Sequence, residues 1–172
     1  MNISRSWAMP NKNTFDIPPI HDFIYRWFDN NSTSIDPFSN TNRIAGVCND
    51  IDPLCDADYC MDALSFLRRF DDKSVDIVLF DPPYSPRQIS ESYKKVGLSV
   101  NMETTQSSYW SNMKDEIKRI VSDNGIVLSF GWNSNGIGKT RGFVMEELLL
   151  VAHGGAHNDT ICVAERKMPT LF

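Results

Sequence analysis

Four consecutive residues, Asp81-Pro82-Pro83-Tyr84, stand directly after the apolar run VDIVLF. The run reads as a buried strand over residues 75–80. Two prolines cannot continue a central ladder, so the strand must stop there. In open α/β sheets, ligands bind at the carboxyl ends of the strands. The residue types fit one chemistry. An exocyclic aromatic amine such as N6 of adenine is a poor nucleophile, because its lone pair is delocalised into the ring. A site that methylates it must hold hydrogen-bond acceptors against the amino protons. These orient the lone pair and offset the positive charge that grows on nitrogen. The Asp81 carboxylate and the Pro82 carbonyl are such acceptors. Pro82-Pro83 fixes the direction of the backbone. Tyr84 offers a flat face for a base taken out of its stack. Alone, the tetrad also reads as a rigid turn; its place after a buried strand is what favours a site.

The elements around it must hold the tetrad at a sheet edge. Pro18-Pro19 opens a helix with Ile20, Phe23, Ile24, Trp27 and Phe28 along one face. Strands are predicted at 34–36, 44–48, 75–80, 126–130, 143–152 and 160–164. Helices are predicted at 63–70 and 113–121, and Asp123-Asn124-Gly125 reads as a turn. Strands alternating with helices argue for an α/β domain with a mostly parallel sheet. The last two strands, joined by the turn HGGAHND, form an antiparallel hairpin. Residues 85–112 show no clear periodicity, which in a compact domain marks a functional or mobile stretch.

Composition narrows the class. The chain has 172 residues, 41% of them hydrophobic and 23% charged, which excludes wholesale disorder and fibrous architectures. The net charge of −5 argues against a protein that coats nucleic acid by bulk charge. The charge is uneven, however. Residues 85–122 hold Arg87, Lys94, Lys95, Lys114, Lys118 and Arg119 against four acidic residues, the only net-basic part of the chain. That segment follows the tetrad, so it is either a solvated face or a surface for phosphates. No apolar run is long enough for a signal peptide or a membrane span, so a reducing, cytoplasmic compartment and no membrane partner are expected.

With the motifs taken together, the chain resembles the S-adenosylmethionine-dependent N6-adenine DNA methyltransferases. VDIVLFDPPYS is similar to that family's catalytic strand and its Asp-Pro-Pro-Tyr tetrad. Weaker motifs stand in a consistent order. Ser34-Ile35-Asp36-Pro37-Phe38 resembles a strand ending in Asp-Pro-Phe that borders the cofactor. In AGVCNDIDP, Asp50 at the strand end would hold the ribose hydroxyls, with Ile51 beside it. In YCMDAL, Asp62-Ala63 would meet the cofactor adenine. Upstream, Asn13-Thr14-Phe15 resembles the polar turn at the methionine end of the cofactor. The likeness covers about residues 11–166 and rests chiefly on the tetrad. It implies a Rossmann-like, seven-stranded, mostly parallel sheet with a terminal antiparallel hairpin, forming a single domain over residues 1–172. It implies S-adenosylmethionine as cofactor, DNA as the most favoured partner and methyl transfer to adenine N6. The catalytic residues would be Asp81, Pro82, Pro83 and Tyr84. The cofactor residues would be Asn13, Thr14, Phe15, Asp36, Phe38, Asp50, Ile51, Asp62 and Ala63.

The sequence departs from that family after Phe38, where a glycine-rich loop is replaced by Ser39-Asn40-Thr41-Asn42-Arg43. Asn40 and Asn42 are the residues able to take left-handed backbone in its place. No separate recognition domain is visible, which leaves residues 85–124 for substrate recognition. The candidate substrate contacts are Tyr84, Arg87, Lys94, Lys95 and Trp132, and a homodimer is possible. An RNA adenine is the nearest alternative acceptor, since the tetrad reads the base and not the sugar. A catalytically weak nucleic-acid-binding subunit is the alternative of another class. Cys48, Cys55, Cys60 and Cys162 are too few and too widely spaced for a disulfide scaffold or a zinc knuckle. They read as inert buried thiols, and no metal is expected. His153 and His157 fall in the hairpin turn and receive no catalytic role. The segment GIGKT resembles the tail of a phosphate loop but lacks its first glycine.

Overall fold

The computed structural model describes residues 1–29, 31–83, 86–97, 107–155 and 157–169. Its centre is an eight-stranded sheet. In chain order the strands are β1 (Asn2–Trp7), β2 (Ser34–Asp36), β3 (Val47–Asp50), β4 (Tyr59–Cys60), β5 (Val75–Phe80), β6 (Val121–Gly131), β7 (Phe143–Ala152) and β8 (Thr160–Lys167). Across the sheet they lie in the order β1-β7-β8-β6-β5-β2-β3-β4. Every pairing is parallel except those of β8, which runs antiparallel to both β6 and β7. The expected α/β architecture with a terminal hairpin is therefore present, with eight strands instead of seven. The additional strand is β1, NISRSW, whose apolar residues Ile3 and Trp7 are exposed and too few to mark a core strand; it pairs with β7 at the sheet edge.

The helices follow apolar spacing. In α1 (Pro18–Trp27), prolines fill the first turn, where their missing amides cost nothing, and Ile20, Phe23 and Ile24 are fully buried. Helix α2 (Ala63–Leu67) is capped by Asp62, whose carboxylate accepts from the Ser65 amide at 3.0 Å. It is shorter than the predicted 63–70. Helices α3 (Pro86–Lys95) and α4 (Ser107–Ile120) occupy most of the stretch that lacked periodicity. In α4, Tyr109, Met113, Ile117 and Ile120 form a buried row at i, i+4, i+8 and i+11. Lys167 donates its buried ammonium to the Lys118 carbonyl at 2.7 Å and so closes the end of α4. The α1 side of the sheet holds one core, with Phe15 against Phe130 at 4.7 Å. The α2 and α4 side holds the other.

Other departures have local causes. The strand predicted at 44–48 sits at 47–50, because the Gly46 amide is taken by the Ser34 hydroxyl at 2.9 Å and not by a ladder. The predicted turn at 123–125 lies inside β6. There Asn124 is left-handed at φ +66°, and the β5–β6 register jumps from Val75↔Val121 to Ile77↔Ile126. His153 is buried, not exposed: its Nδ1 meets the Ala8 carbonyl and its Nε2 the Thr160 hydroxyl, both at 2.9 Å. Cys48 and Cys162 are buried, whereas Cys55 is half-buried and Cys60 exposed, so the thiols are not uniformly interior.

Candidate active site

A cavity of about 450 Å³ opens at the carboxyl ends of the central strands. Phe38 lines it after β2, Asp50 and Ile51 after β3, Met61 and Ala63 after β4, and Asp81-Pro82-Pro83 after β5. Four adjacent parallel strands thus deliver their C-terminal residues to one crevice, as the topology of such sheets requires. A second cavity of about 220 Å³ adjoins it between residues 12–16 and 38–43, and the two share Lys12, Thr14, Phe38, Asn40 and Asp81. Asn13 and Phe15 border only the smaller one, and Phe15 is otherwise a core residue.

The loop after Phe38 solves its turn without glycine. Asn40 takes φ +50°, while Asn42 does not adopt left-handed backbone. The Asn40 amide is bound by Asp50 Oδ2 at 2.8 Å, and Asp50 Oδ1 accepts from the Asp52 amide at 2.9 Å. An ionised carboxylate has about four acceptor sites, so Asp50 keeps capacity for a ligand. Buried Asn49 joins three strand ends. It donates to the carbonyls of Pro37 and Met61, both at 3.0 Å, and accepts from the Met61 amide.

The predicted cofactor residues do not all face the cavities. Asp36 is fully buried beneath them, and its Oδ1 accepts from the Phe38 amide at 2.9 Å. Burial lifts its pKa well above the usual carboxylate range, with the charges of Asp81 and Asp50 adding to the rise. Asp62 also stands behind the wall. Besides capping α2, its Oδ1 accepts from the hydroxyls of Tyr93 on α3, at 2.7 Å, and of Tyr109 on α4. Burial raises both phenols, Tyr93 to about 12.

Helix α3 forms the wall opposite the strand ends. Gln88, Glu91, Tyr93 and Lys95 line the cavity from it, joined by Tyr109. Lys95 pairs with Asp52 at 2.5 Å across the rim. That contact, foremost, holds the Asp52 carboxyl below its ordinary range. On α4, Trp110 donates its indole N–H to the Pro83 carbonyl at 3.3 Å, bracing the tetrad's backbone. The cavity walls carry Asp50, Asp52, Asp81 and Glu91 against Lys12 and Lys95, so the local field favours a cationic ligand.

Of the predicted substrate residues, Lys95 lies at the cavity. Arg87 is exposed and pairs with Glu91 on its own helix at 2.8 Å; Lys94 is exposed, and neither lines the cavity. Trp132, 45% exposed, follows β6 and does not line it either. Tyr84 lies outside the described residues, as do residues 85 and 98–106 of the recognition segment. Sequence reasoning missed Lys12, Met61, Gln88, Glu91 and Tyr93. Nothing in the types or spacing of Gln88, Glu91 and Tyr93 marks them before α3 is seen folded across the strand ends, whereas Met61 stands within the motif YCMDAL. Among the described residues, no group of His, Cys, Asp or Glu is placed to hold a metal ion, and no helix is long and apolar enough to cross a membrane.

Solved structures share this architecture. The Escherichia coli protein yhhF, described as a methyltransferase, superposes with a TM-score of 0.57 at 10% identity, over 93% of this chain and 90% of its own. The fold is that of the Rossmann-like methyltransferases. SMU.1697c of Streptococcus mutans, described likewise and crystallised with S-adenosylhomocysteine, gives 0.53 at 13% identity over 93% of this chain and all of its own. The 1,6-didemethyltoxoflavin-N1-methyltransferase of Burkholderia thailandensis, with its substrate and S-adenosylhomocysteine bound, gives 0.52 at 9% over 80% and 72%. No protein-family model matches the sequence, and no curated protein matches it.

Proposed function

We propose that this protein transfers a methyl group from S-adenosylmethionine to the N6 amine of adenine in DNA. The observation that carries the reading is the position of Asp81-Pro82-Pro83. It follows β5 in the same cavity as Phe38, Asp50, Ile51 and Ala63. An amine acceptor held by Asp81 would therefore face whatever binds against the ends of β2, β3 and β4.

The cavity fits that cofactor. Its volume falls within the range of small-molecule sites. Phe38, Ile51, Met61 and Ala63 offer apolar walls for an adenine ring, and Asp50 offers a carboxylate for the ribose hydroxyls. The acidic surroundings suit a ligand that carries positive charge at its ammonium and sulfonium. The bound cofactor would supply a methyl group activated on that sulfonium. The smaller cavity, with Thr14 and Asn13, suits the methionine end.

The chain's own residues do the remaining work. Asp81 accepts a hydrogen bond from the exocyclic amine, turns its lone pair toward the methyl donor and offsets the charge developing on nitrogen. The Pro82 carbonyl is a second acceptor, and Trp110 steadies the turn through Pro83. The left-handed Asn40 supports an active enzyme over a catalytically weak nucleic-acid-binding subunit, since the loop turns without glycine.

The test is incubation with labelled S-adenosylmethionine and separate DNA and RNA substrates, followed by nucleoside analysis. N6-methyladenine in DNA is the expected product. Label in RNA alone would move the acceptor, N4-methylcytosine would change the base, and absence of any transfer would refute the reading.

A further inference from the structure

The two edges of the sheet differ. At one edge β4 is two residues long, a common way of blunting an edge against pairing. At the other, β1 presents six residues, and among the described residues β7 is its only strand neighbour. Edges are usually protected by lysine, proline or bulges. Residues 1–9 contain neither lysine nor proline, and Arg5 is their one charged side chain.

The backbone of β1 has a definite polarity. The Ala8 amide bonds to the Ala152 carbonyl at 3.1 Å, so even-numbered residues turn their backbone groups toward β7. By the alternation of a strand, Ile3, Arg5 and Trp7 turn theirs outward. Their side chains share one face with Met1 and Met9. The apolar members of this row are 63–78% exposed. The register continues the face onto half-buried Leu148 and Leu150 of β7. The β6–β7 connection holds only the short 3-10 turn Lys139–Arg141, so it contributes no helix to cover them.

We infer that β1 pairs antiparallel with β1 of a second copy of this chain, about a two-fold axis through Ser4, joining two sheets edge to edge. The register follows from the residues. With Ser4 facing Ser4, the outward backbone of Ile3 meets that of Arg5, and Met1 meets Trp7. Every outward group of β1 gains a partner, and the apolar rows lie side by side. Centring the pair on Arg5 would set like charges directly opposite, which is unfavourable. Centring it on Ile3 would leave Trp7 uncovered. A second copy therefore fits the strand by its own symmetry, the isologous form common in dimers. A six-residue ladder buries less than the roughly 1,200–2,000 Å² of stable specific interfaces, so the dimer is weak and forms as a concentration-dependent equilibrium.

In this register Ser4 and its symmetry mate form a non-hydrogen-bonded pair, with Cα atoms about 4.5 Å apart, within disulfide reach. The experiment uses the full chain carrying Cys55→Ser and Cys60→Ser, so that no native accessible thiol interferes. Sedimentation of this protein across concentration should show its mass doubling. Under mild oxidation, Ser4→Cys should give a covalent dimer and Ser6→Cys should not. Ile3→Asp should keep the far-UV spectrum and lose the doubling. A Cys55→Ser, Cys60→Ser chain that remains monomeric at its highest soluble concentration would overturn the inference. So would Ser6→Cys crosslinking as well as Ser4→Cys, or an Ile3→Asp protein that is folded and still dimeric.

Discussion

Replacing Asp62 with alanine should cost more stability than its half-buried position suggests. One carboxylate holds three elements: the Ser65 amide of α2, the Tyr93 hydroxyl of α3 and the Tyr109 hydroxyl of α4. Loss of the cap costs about 1 kcal/mol. The two phenols lose their shared acceptor. They lie 3.4 Å apart, so one can donate to the other, leaving a single buried hydroxyl unsatisfied. That adds about 1–3 kcal/mol, for a total of roughly 2–4 kcal/mol. Urea unfolding followed by far-UV circular dichroism measures the loss as a shift in midpoint at constant slope. Tyr109→Phe alone should cost about 1–2 kcal/mol, since the carboxylate keeps its other partners. In combination with Asp62→Ala it should cost almost nothing more. If Asp62→Ala loses less than about 0.5 kcal/mol, or if the two losses simply add, the carboxylate does not tie the helices together.

Four further outcomes are expected. Asp81→Ala should lower methyl transfer by about 10²–10³ while weakening cofactor binding far less, and Asp81→Asn should remain severely impaired because the charge is gone. Asp50→Ala should weaken cofactor binding about 10- to 100-fold in calorimetry, the equivalent of losing hydrogen bonds to a charged group. Asp36→Asn should flatten the pH dependence of Tm. Burial holds the Asp36 proton more tightly in the folded chain than in the unfolded one, so native stability falls as pH rises from the ordinary carboxylate range through the raised pKa, and the amide removes that limb. Reversing Lys94 and Lys95 to glutamate should reduce the salt dependence of DNA binding by about 0.9 in log–log slope for each phosphate that the side chains no longer neutralise.

The central strands were legible because burial on both faces leaves continuous apolar runs such as VDIVLF, and Pro82-Pro83 marks where one ends. The same reasoning missed β1. An edge strand with exposed side chains needs no apolar pattern, and its pairing is decided by β7, far away in sequence. Helix α3 was hidden for a related reason: PRQISESYKK is mostly polar and holds too few apolar residues to stand out as a core-facing helix. Within the site, the carboxylates at strand ends were visible in type and position. Whether each faces the cavity was not. Asp36 and Asp62 match their motifs as well as Asp50 does. Yet one is sealed under the Phe38 turn and the other is taken by tyrosines from helices that sequence alone could not bring there.

The arrangement of α3 also bears on how, under the proposed function, this domain could hold a nucleic acid. Gln88, Glu91 and Lys95, at i, i+3 and i+7, turn one face of the helix to the cavity. Arg87 and Lys94, at i and i+7, lie along another face, both exposed. Under the proposed function the helix is divided between a wall that would meet the reacting base and an outer face where Lys94 can meet phosphates, Arg87 being already paired with Glu91. Lys95 is bound to Asp52 at the rim, so its charge is already matched within the site. Lys94, not the local net charge of the whole segment, is therefore what electrostatic recognition on this helix has to work with. Reversal of Lys94 alone should account for most of the change in salt dependence, whereas reversal of Lys95 alone should act mainly on the cavity. If Lys95→Glu moved the salt slope and Lys94→Glu did not, the division of the helix would be wrong, and the phosphates would run across the cavity mouth instead of along the outer face.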